Sequence, residues 1–374
     1  MKKAILTLTV MLAAAALIAA FSGPASAAVS GVCSDCHTMH NSQGGTAMRT
    51  DDESAPMQTL LIGTCVGCHS AGAGTSIEAV TGAPIVYNTG APGYGYNNEG
   101  LAAGNFYNCD TTAERVFGHN ITDMGIGSQG IDSGITGGPP GFVAATKPAE
   151  FTQSGSAWGP TTWDNVGTTP VTCAGELGCH GDRSGGYDSY KGIKGAHHTN
   201  DGTIDGGTVG SSYRFLAGIK GVELNTSGYE WEVQADGTHH NGYQGDSSYG
   251  SDNTISYLCG ECHGNFHAHT NLGGTDEVGS DSPWLRHPTD IELDASTSGV
   301  FTTDYTSYNV ETPVALATPS TSTSTVDTTS IVMCLSCHRA HASPHTDILR
   351  FEYDMNAGDL ADDGGCERCH QRQR

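Results

Sequence analysis

Residues 33–40 read Cys33-Ser34-Asp35-Cys36-His37-Thr38-Met39-His40, and residues 334–341 repeat that frame as Cys334-Leu335-Ser336-Cys337-His338-Arg339-Ala340-His341. Two thiols separated by two residues, with an imidazole directly after the second, form a specific chemical arrangement. Both sulfurs can add across the two vinyl groups of one haem while the histidine is held beneath the iron. The C-x-x-C-H frame recurs at Cys65/Cys68/His69, Cys259/Cys262/His263 and Cys366/Cys369/His370, making five copies. A zinc site has no need of a histidine after every second thiol, and a disulfide framework leaves those histidines without a role. Covalently attached haem c accounts for all of them together.

A sixth, altered site runs from Cys173 to Cys179-His180. It keeps the terminal Cys-His pair but places five residues between the thiols, two of them Gly175 and Gly178. An insert of that composition can bulge outward and still bring both sulfurs to one macrocycle. A disulfide between Cys173 and Cys179, or a single-thioether haem, is the alternative. The expectation is about six haems per chain. Cys109 is left over, as a buried free thiol or an intermolecular link.

Of 17 histidines, six follow attachment cysteines and eleven do not. His40, His119, His198, His267, His287 and His341 are the first candidates for the opposite side of the irons. His197, His239, His240, His269 and His345 stand behind them. Enough imidazoles are present to close every iron on both faces, which suits an electron carrier; a haem enzyme keeps one position open for substrate. Spacing restricts the pairing. His40, His267 and His341 follow their motif histidines by three or four residues, so on a helical turn each lies on the same side as its neighbour. None can reach round its own porphyrin, and each is expected to serve a different haem. In the His197/His198 pair one ring is expected to ligate while the other faces solvent.

The remainder of the chain supports an exported, cofactor-filled protein. Lys2-Lys3, an apolar run from Ala4 to Ala20 and the small residues Ala25-Ser26-Ala27 have the layout of a cleaved signal peptide over residues 1–27. No later apolar run is long enough to span a membrane, so the mature chain is expected to be soluble. Loss of the two lysines moves the formal charge from −24 to −26, which argues against nucleic acid and favours cationic partners or metal ions. Glycine supplies 52 of 374 residues and aromatics only 7%. Such a composition struggles to build an apolar core from side chains. A porphyrin hides a few hundred Å² of apolar face, which at about 25 cal/mol per Å² contributes on the order of 10 kcal/mol.

The expected fold is therefore mostly irregular, with short helices at the attachment motifs and few strands, wrapped around a haem stack. Strands are expected around 213–234 and 300–315. Residues 28–374 read as one domain: a first two-haem unit at 28–70, a middle of loops with two haems at 71–330, and a last two-haem unit at 331–374. The first and last units share a 32-residue step, Cys33 to Cys65 and Cys334 to Cys366. The Ser/Thr-rich segment 317–330 is expected to be a surface loop. Trp158, Trp163, Trp231 and Trp284 are assigned to packing against porphyrin edges ahead of electron relay.

At these residues the chain resembles the outer-surface multihaem cytochromes of metal-reducing bacteria, in particular the hexahaem type that polymerises into nanowires. The matching stretches are residues 33–42, Gly118-His119-Asn120, Leu285-Arg286-His287-Pro288, residues 334–343 and a last motif close to the C-terminus. The extended third site departs from that pattern, and the region 181–250, with residues 210–216, looks like the broader doubled C-x-x-C-H group. The resemblance implies an electron conduit at the outer cell surface that passes electrons to other redox proteins, extracellular metal oxides or electrodes. It also implies that His40 binds the iron attached at Cys334/Cys337 of a neighbouring copy, a head-to-tail contact that propagates into an open filament. A monomeric periplasmic shuttle is the alternative, and a reductase of nitrite, sulfite or hydroxylamine a more distant one.

Overall fold

The computed structural model describes residues 31–49, 55–57, 59–110, 112–121, 171–184, 189–199, 204–224, 226, 228–247, 251–263, 266, 287, 289–293, 305–352 and 365–369. Residues 1–27, expected to be a signal peptide, lie outside them with His267, His269 and His370, as do Trp158, Trp163 and Trp284. Regular structure is sparse. Four short α-helices are described, at Cys65–His69, Ser189–Gly192, Ile255–Gly260 and Cys366–Cys369. None approaches the length at which a helix stands alone in water. Local chemistry starts two of them: Gly67 N–H donates to Thr64 Oγ1 at 3.2 Å, and Tyr257 N–H donates to Thr254 Oγ1 at 3.1 Å. A threonine N-cap of this kind satisfies a donor that the first turn leaves open.

Among the described residues strands come only as two-stranded pairs. In chain order they are β1 (Ser42–Gln43), β2 (Thr46–Ala47), β3 (Ser70–Ala71), β4 (Tyr87–Asn88), β5 (Thr172–Ala174), β6 (Gly178–His180), β7 (Gly221–Val222), β8 (Gly242–Tyr243), β9 (Ile291–Glu292) and β10 (Ile331–Val332). β3 pairs parallel to β4 and β5 parallel to β6; the other three pairs are antiparallel. The expected strand at 213–234 reduces to β7, flanked by 3-10 turns at Tyr213–Phe215 and Glu230–Glu232. Left-handed backbone at Arg214, Phe215, Trp231 and Glu232 breaks the extension that the β-favouring side chains suggested. Of the described part of 300–315, only the single bridges Ser307–Thr325 and Ala315–Ile331 remain. The 317–330 loop is anchored, with Val326 and Ser330 buried.

Among the described residues apolar packing forms three modest clusters. One gathers Tyr213, Leu216, Ile219, Tyr243, Ile255, Ala315, Ile331, Met333 and Leu335; a second is built on Tyr305, Tyr308, Val310, Val314 and Val332; the third holds Phe106, Cys109, Ile121 and Ala342. Between them three arginines are almost wholly buried: Arg183, Arg339 and Arg350. Arg350 donates to four backbone carbonyls, those of Leu335, His338, Val310 and Ala102. Arg339 pairs with Glu99 at 2.6 Å and Arg183 with Glu261 at 3.5 Å. Buried guanidinium forks thus tie together loop backbones that no sheet or helix organises.

Candidate metal centres

Four histidines from the attachment motifs each stand opposite a histidine from elsewhere in the chain. Ring centroids are 6.1 Å apart for His37 and His198, 6.4 Å for His69 and His197, 6.3 Å for His180 and His341, and 6.3 Å for His263 and His119. Rings that simply stack come closer, as His240 does on Tyr308 at 3.6 Å. A metal–imidazole bond of about 2 Å plus a ring radius of about 1.1 Å puts each centroid about 3 Å from a shared metal, and a pair about 6.3 Å apart. All four spacings fit an iron between two imidazoles. Since each pair contains one histidine of a Cys-His unit, the group that fits is a haem held through the preceding thiols.

In three of these histidines, and in the motif histidine His338, the other ring nitrogen is also arranged for ligation. Nδ1 of His69 lies 2.8 Å from the Pro84 carbonyl, Nδ1 of His119 2.8 Å from Ala340 O, Nδ1 of His180 2.8 Å from Arg214 O, and Nδ1 of His338 2.8 Å from Asp347 O. A carbonyl accepts only, so Nδ1 carries the proton and Nε2 keeps its lone pair for metal. Burial holds the rings neutral: desolvation pushes His69, His119, His180 and His338 below the ordinary imidazole range, His197 down to about 4 and His341 down to about 3. A neutral imidazole at neutral pH is the form a metal binds.

Local backbone explains how loops deliver these rings. His197 and His198 sit on the 3-10 turn Ala196–His198, and their adjacent rings face two different motif histidines. Both rings of this pair meet a partner, where only one was expected to, and the first two sites are drawn together by consecutive residues. His119 and His341 are joined through backbone: His119 N–H donates to His341 O at 3.0 Å, and His341 N–H to Ala103 O at 2.8 Å. That approach depends on Gly104 and Gly118, both of which bridge to Ala342. A Cβ on Gly104 would lie 1.8 Å from Ala342 O, and one on Gly118 would lie 2.5 Å from Cys109 Sγ.

Neighbouring attachment sites also meet. The Cys259 and Cys334 thiols share a hydrogen bond, and Cys334 N–H donates to Ser256 Oγ at 3.2 Å. In the extended site, Thr172 and Ala174 of β5 pair with Gly178 and His180 of β6, so the five-residue insert folds back on itself as a tight loop. Gly178 is required there, because a Cβ would stand 2.5–2.6 Å from Ala174 backbone atoms.

The remaining sequence candidates lie elsewhere. His40 is exposed, and among the described residues no imidazole stands opposite His338. His287 is also exposed. His239 stacks on Tyr229 at 4.1 Å, and its Nδ1 lies 3.1 Å from the accepting carboxylate of Asp236. His240 is buried, with its two ring nitrogens 2.9 Å from Asn241 O and 3.1 Å from Thr323 O. His345 pairs with Glu99 at 3.4 Å. Cys109 is fully buried, and desolvation pushes its thiol up to about 12. The role of Nδ1 partners went unread in the sequence, since backbone carbonyls leave no residue-type signal.

No protein-family profile matches the chain, and no curated protein matches it. Two solved structures are similar to it. One is the "Outer Membrane Cytochrome S Filament from Geobacter Sulfurreducens", with a TM-score of 0.46 and 22% identity over 86% of this chain and 84% of that one. The other is the OmcS nanowire of Geobacter sulfurreducens seen by cryo-EM, with a TM-score of 0.46 and 22% identity over 88% and 85% of the two chains. At that depth the likeness is one of outline, and the functional reading rests on the histidine geometry.

Proposed function

We propose that this chain is an electron-transfer protein that holds about six covalent haems c, each closed on both faces by histidine. The observation that carries the reading is the set of four imidazole pairs at 6.1–6.4 Å, each joining a motif histidine to a distant one. The assigned pairs are His37 with His198, His69 with His197, His180 with His341, and His263 with His119. Cys33/Cys36, Cys65/Cys68, Cys173/Cys179, Cys259/Cys262, Cys334/Cys337 and Cys366/Cys369 supply the attachment sulfurs. When bound, such groups supply one-electron exchange at iron without an open position for substrate.

The polypeptide favours the neutral form of His69, His119, His180, His197, His338 and His341 by burial, fixes the tautomer of His69, His119, His180 and His338 through backbone carbonyls, and brings consecutive sites together through His197/His198 and Cys259/Cys334. For His338 the reading assigns His40 of another copy, in keeping with the exposed position of His40. Such a contact is heterologous and builds a filament. The favoured location is the outer cell surface, with the periplasm as the alternative. Expression in a host competent for cytochrome maturation, followed by intact-mass counting and an optical spectrum, tests the proposal. Six haems with a uniformly low-spin spectrum are expected. Colourless protein, or a predominantly high-spin spectrum that binds cyanide rapidly, overturns it.

A further inference from the structure

The same backbone clasp closes behind three motif histidines. After His37, Thr38 N–H donates to Leu60 O at 2.8 Å; after His180, Gly181 N–H donates to Phe215 O at 2.7 Å; after His338, Arg339 N–H donates to Ile348 O at 2.8 Å. In two of the three the returning chain also donates back, Ile62 N–H to Cys36 O at 3.0 Å and Arg350 N–H to Cys337 O at 2.8 Å. A leucine follows each accepting residue, and Leu61, Leu216 and Leu349 bridge to His37, Gly181 and His338.

Each accepting residue is left-handed, with φ of 59° at Leu60 and 58° at both Phe215 and Ile348. Glycine or asparagine is the usual occupant of that region. Here it is filled by bulky apolar residues, one of them β-branched, whose Cβ makes that backbone unfavourable. Strain repeated at the same place beside three motif histidines points to a function. Its geometric effect is visible in the residue before. Arg214 (φ 50°) and Asp347 (φ 57°) are left-handed too, and their carbonyls are thereby turned onto Nδ1 of His180 and His338, 2.8 Å away in both cases. Extended or right-handed backbone at these residues would send those carbonyls elsewhere.

We infer that the left-handed turns Arg214–Phe215 and Asp347–Ile348 are ligand-positioning devices that set the donor strength of His180 and His338 toward iron, with Leu60 a reduced form of the same clasp behind His37. This rests on the haem reading above. A carbonyl on Nδ1–H makes the imidazole a stronger donor and favours the more positive, ferric state. The alternation of sites agrees. The clasped sites are the first, third and fifth, while the second, fourth and sixth begin on or beside the helices Cys65–His69, Ile255–Gly260 and Cys366–Cys369.

The test uses the full haem-loaded chain and the exposed residue Asp347. Asp347→Asn removes the carboxylate but admits left-handed backbone, and serves as the reference. Asp347→Pro and Asp347→Val remove the same charge and resist that backbone, with the valine variant retained in case the proline variant fails to fold. Haem count by intact mass, spectroelectrochemical titration and EPR are the readouts. Losing the hydrogen-bond partner of a metal ligand typically costs metal binding about 10- to 100-fold, and a tenfold loss of ferric preference equals about 59 mV for one electron. The expected result is an unchanged haem count, with one haem's share of the absorbance moved positive by that tenfold step and its EPR signal displaced, in the valine and proline variants only. Coincident potentials and EPR spectra in all three variants overturn the inference. Wild-type protein without haem instead overturns the reading on which it rests.

Discussion

Gly104→Ala isolates how loop contact controls the proposed irons. Gly104 has φ of +84°, and a Cβ there would meet Ala342 O at 1.8 Å and Arg339 Cδ at 3.0 Å. The left-handed backbone alone costs alanine about 1–2 kcal/mol. Relieving the overlap by moving packed backbone costs a further 1–3 kcal/mol or so, for a total of about 2–5 kcal/mol. The strand of contacts that must move carries His341 N–H to Ala103 O and His119 N–H to His341 O. The rings proposed to face His180 and His263 across iron are therefore displaced together, while the proposed thioether links are expected to stay intact. Thermal unfolding, haem count and the high-spin fraction of the spectrum measure the effect. Two controls divide it. Gly44→Ala has φ of +60° and open space, so only the backbone term applies; Gly72→Ala has open space without that φ and should be neutral or slightly stabilising. A Gly104→Ala protein that melts with the Gly44→Ala control and stays fully low-spin would refute the claimed route from Ala342 to the two histidines.

His197→Ala and His198→Ala should each open one iron, with additive gains in cyanide binding when combined, because their rings face His69 and His37 separately; a gain from only one of them would contradict the pairing. His239→Ala should leave the low-spin spectrum untouched, its ring being occupied by Tyr229 and Asp236. Cys109 should resist alkylation in the folded protein and react after denaturation, as read by mass. Its folded thiol is raised above the ordinary value of 9.0 to about 12, so its contribution to stability is complete below pH 9 and is lost as pH rises from there toward 12. Asp236, held down to about 2 chiefly by hydrogen bonds from Thr238, caps its turn above the ordinary carboxylate range; that contribution should fade between about pH 4 and pH 2, visible as faster exchange of the Thr238 and His239 amides.

The C-x-x-C-H motifs are legible because the covalent chemistry proposed for them would fix residue type and spacing together. Cys33 to His37 announces itself whatever surrounds it. Composition likewise foretells the irregular fold, since so much glycine and so little aromatic area leave side chains unable to build the core. The opposite-side histidines are less legible. A ring that meets a motif histidine across loops carries no local signature, so His197 could not be separated from His239 by sequence, although one faces His69 and the other lies on Tyr229. His240 reads as a ligand candidate by type, yet its two nitrogens are taken up by the backbone of residues 241 and 323.

The clasps were the least legible of all. Leu60, Phe215 and Ile348 are apolar residues with strand-like preferences, and nothing in their chemistry announces left-handed backbone. What selects that conformation is tertiary: the N–H after a motif histidine needs an acceptor, and the imidazole Nδ1–H needs another. A single turn supplies both only if two consecutive residues accept positive φ. The strain is therefore stored where two polar demands converge beside a proposed ligand. The third clasp, behind His37, shows the limit of the device, since Leu60 meets the first demand alone. If the turns served chain reversal only, glycine and asparagine would be free to occupy all three. At the third site the bulky residue also presents apolar surface, the Phe215 ring lying 5.1 Å from that of His197, whereas Leu60 is exposed.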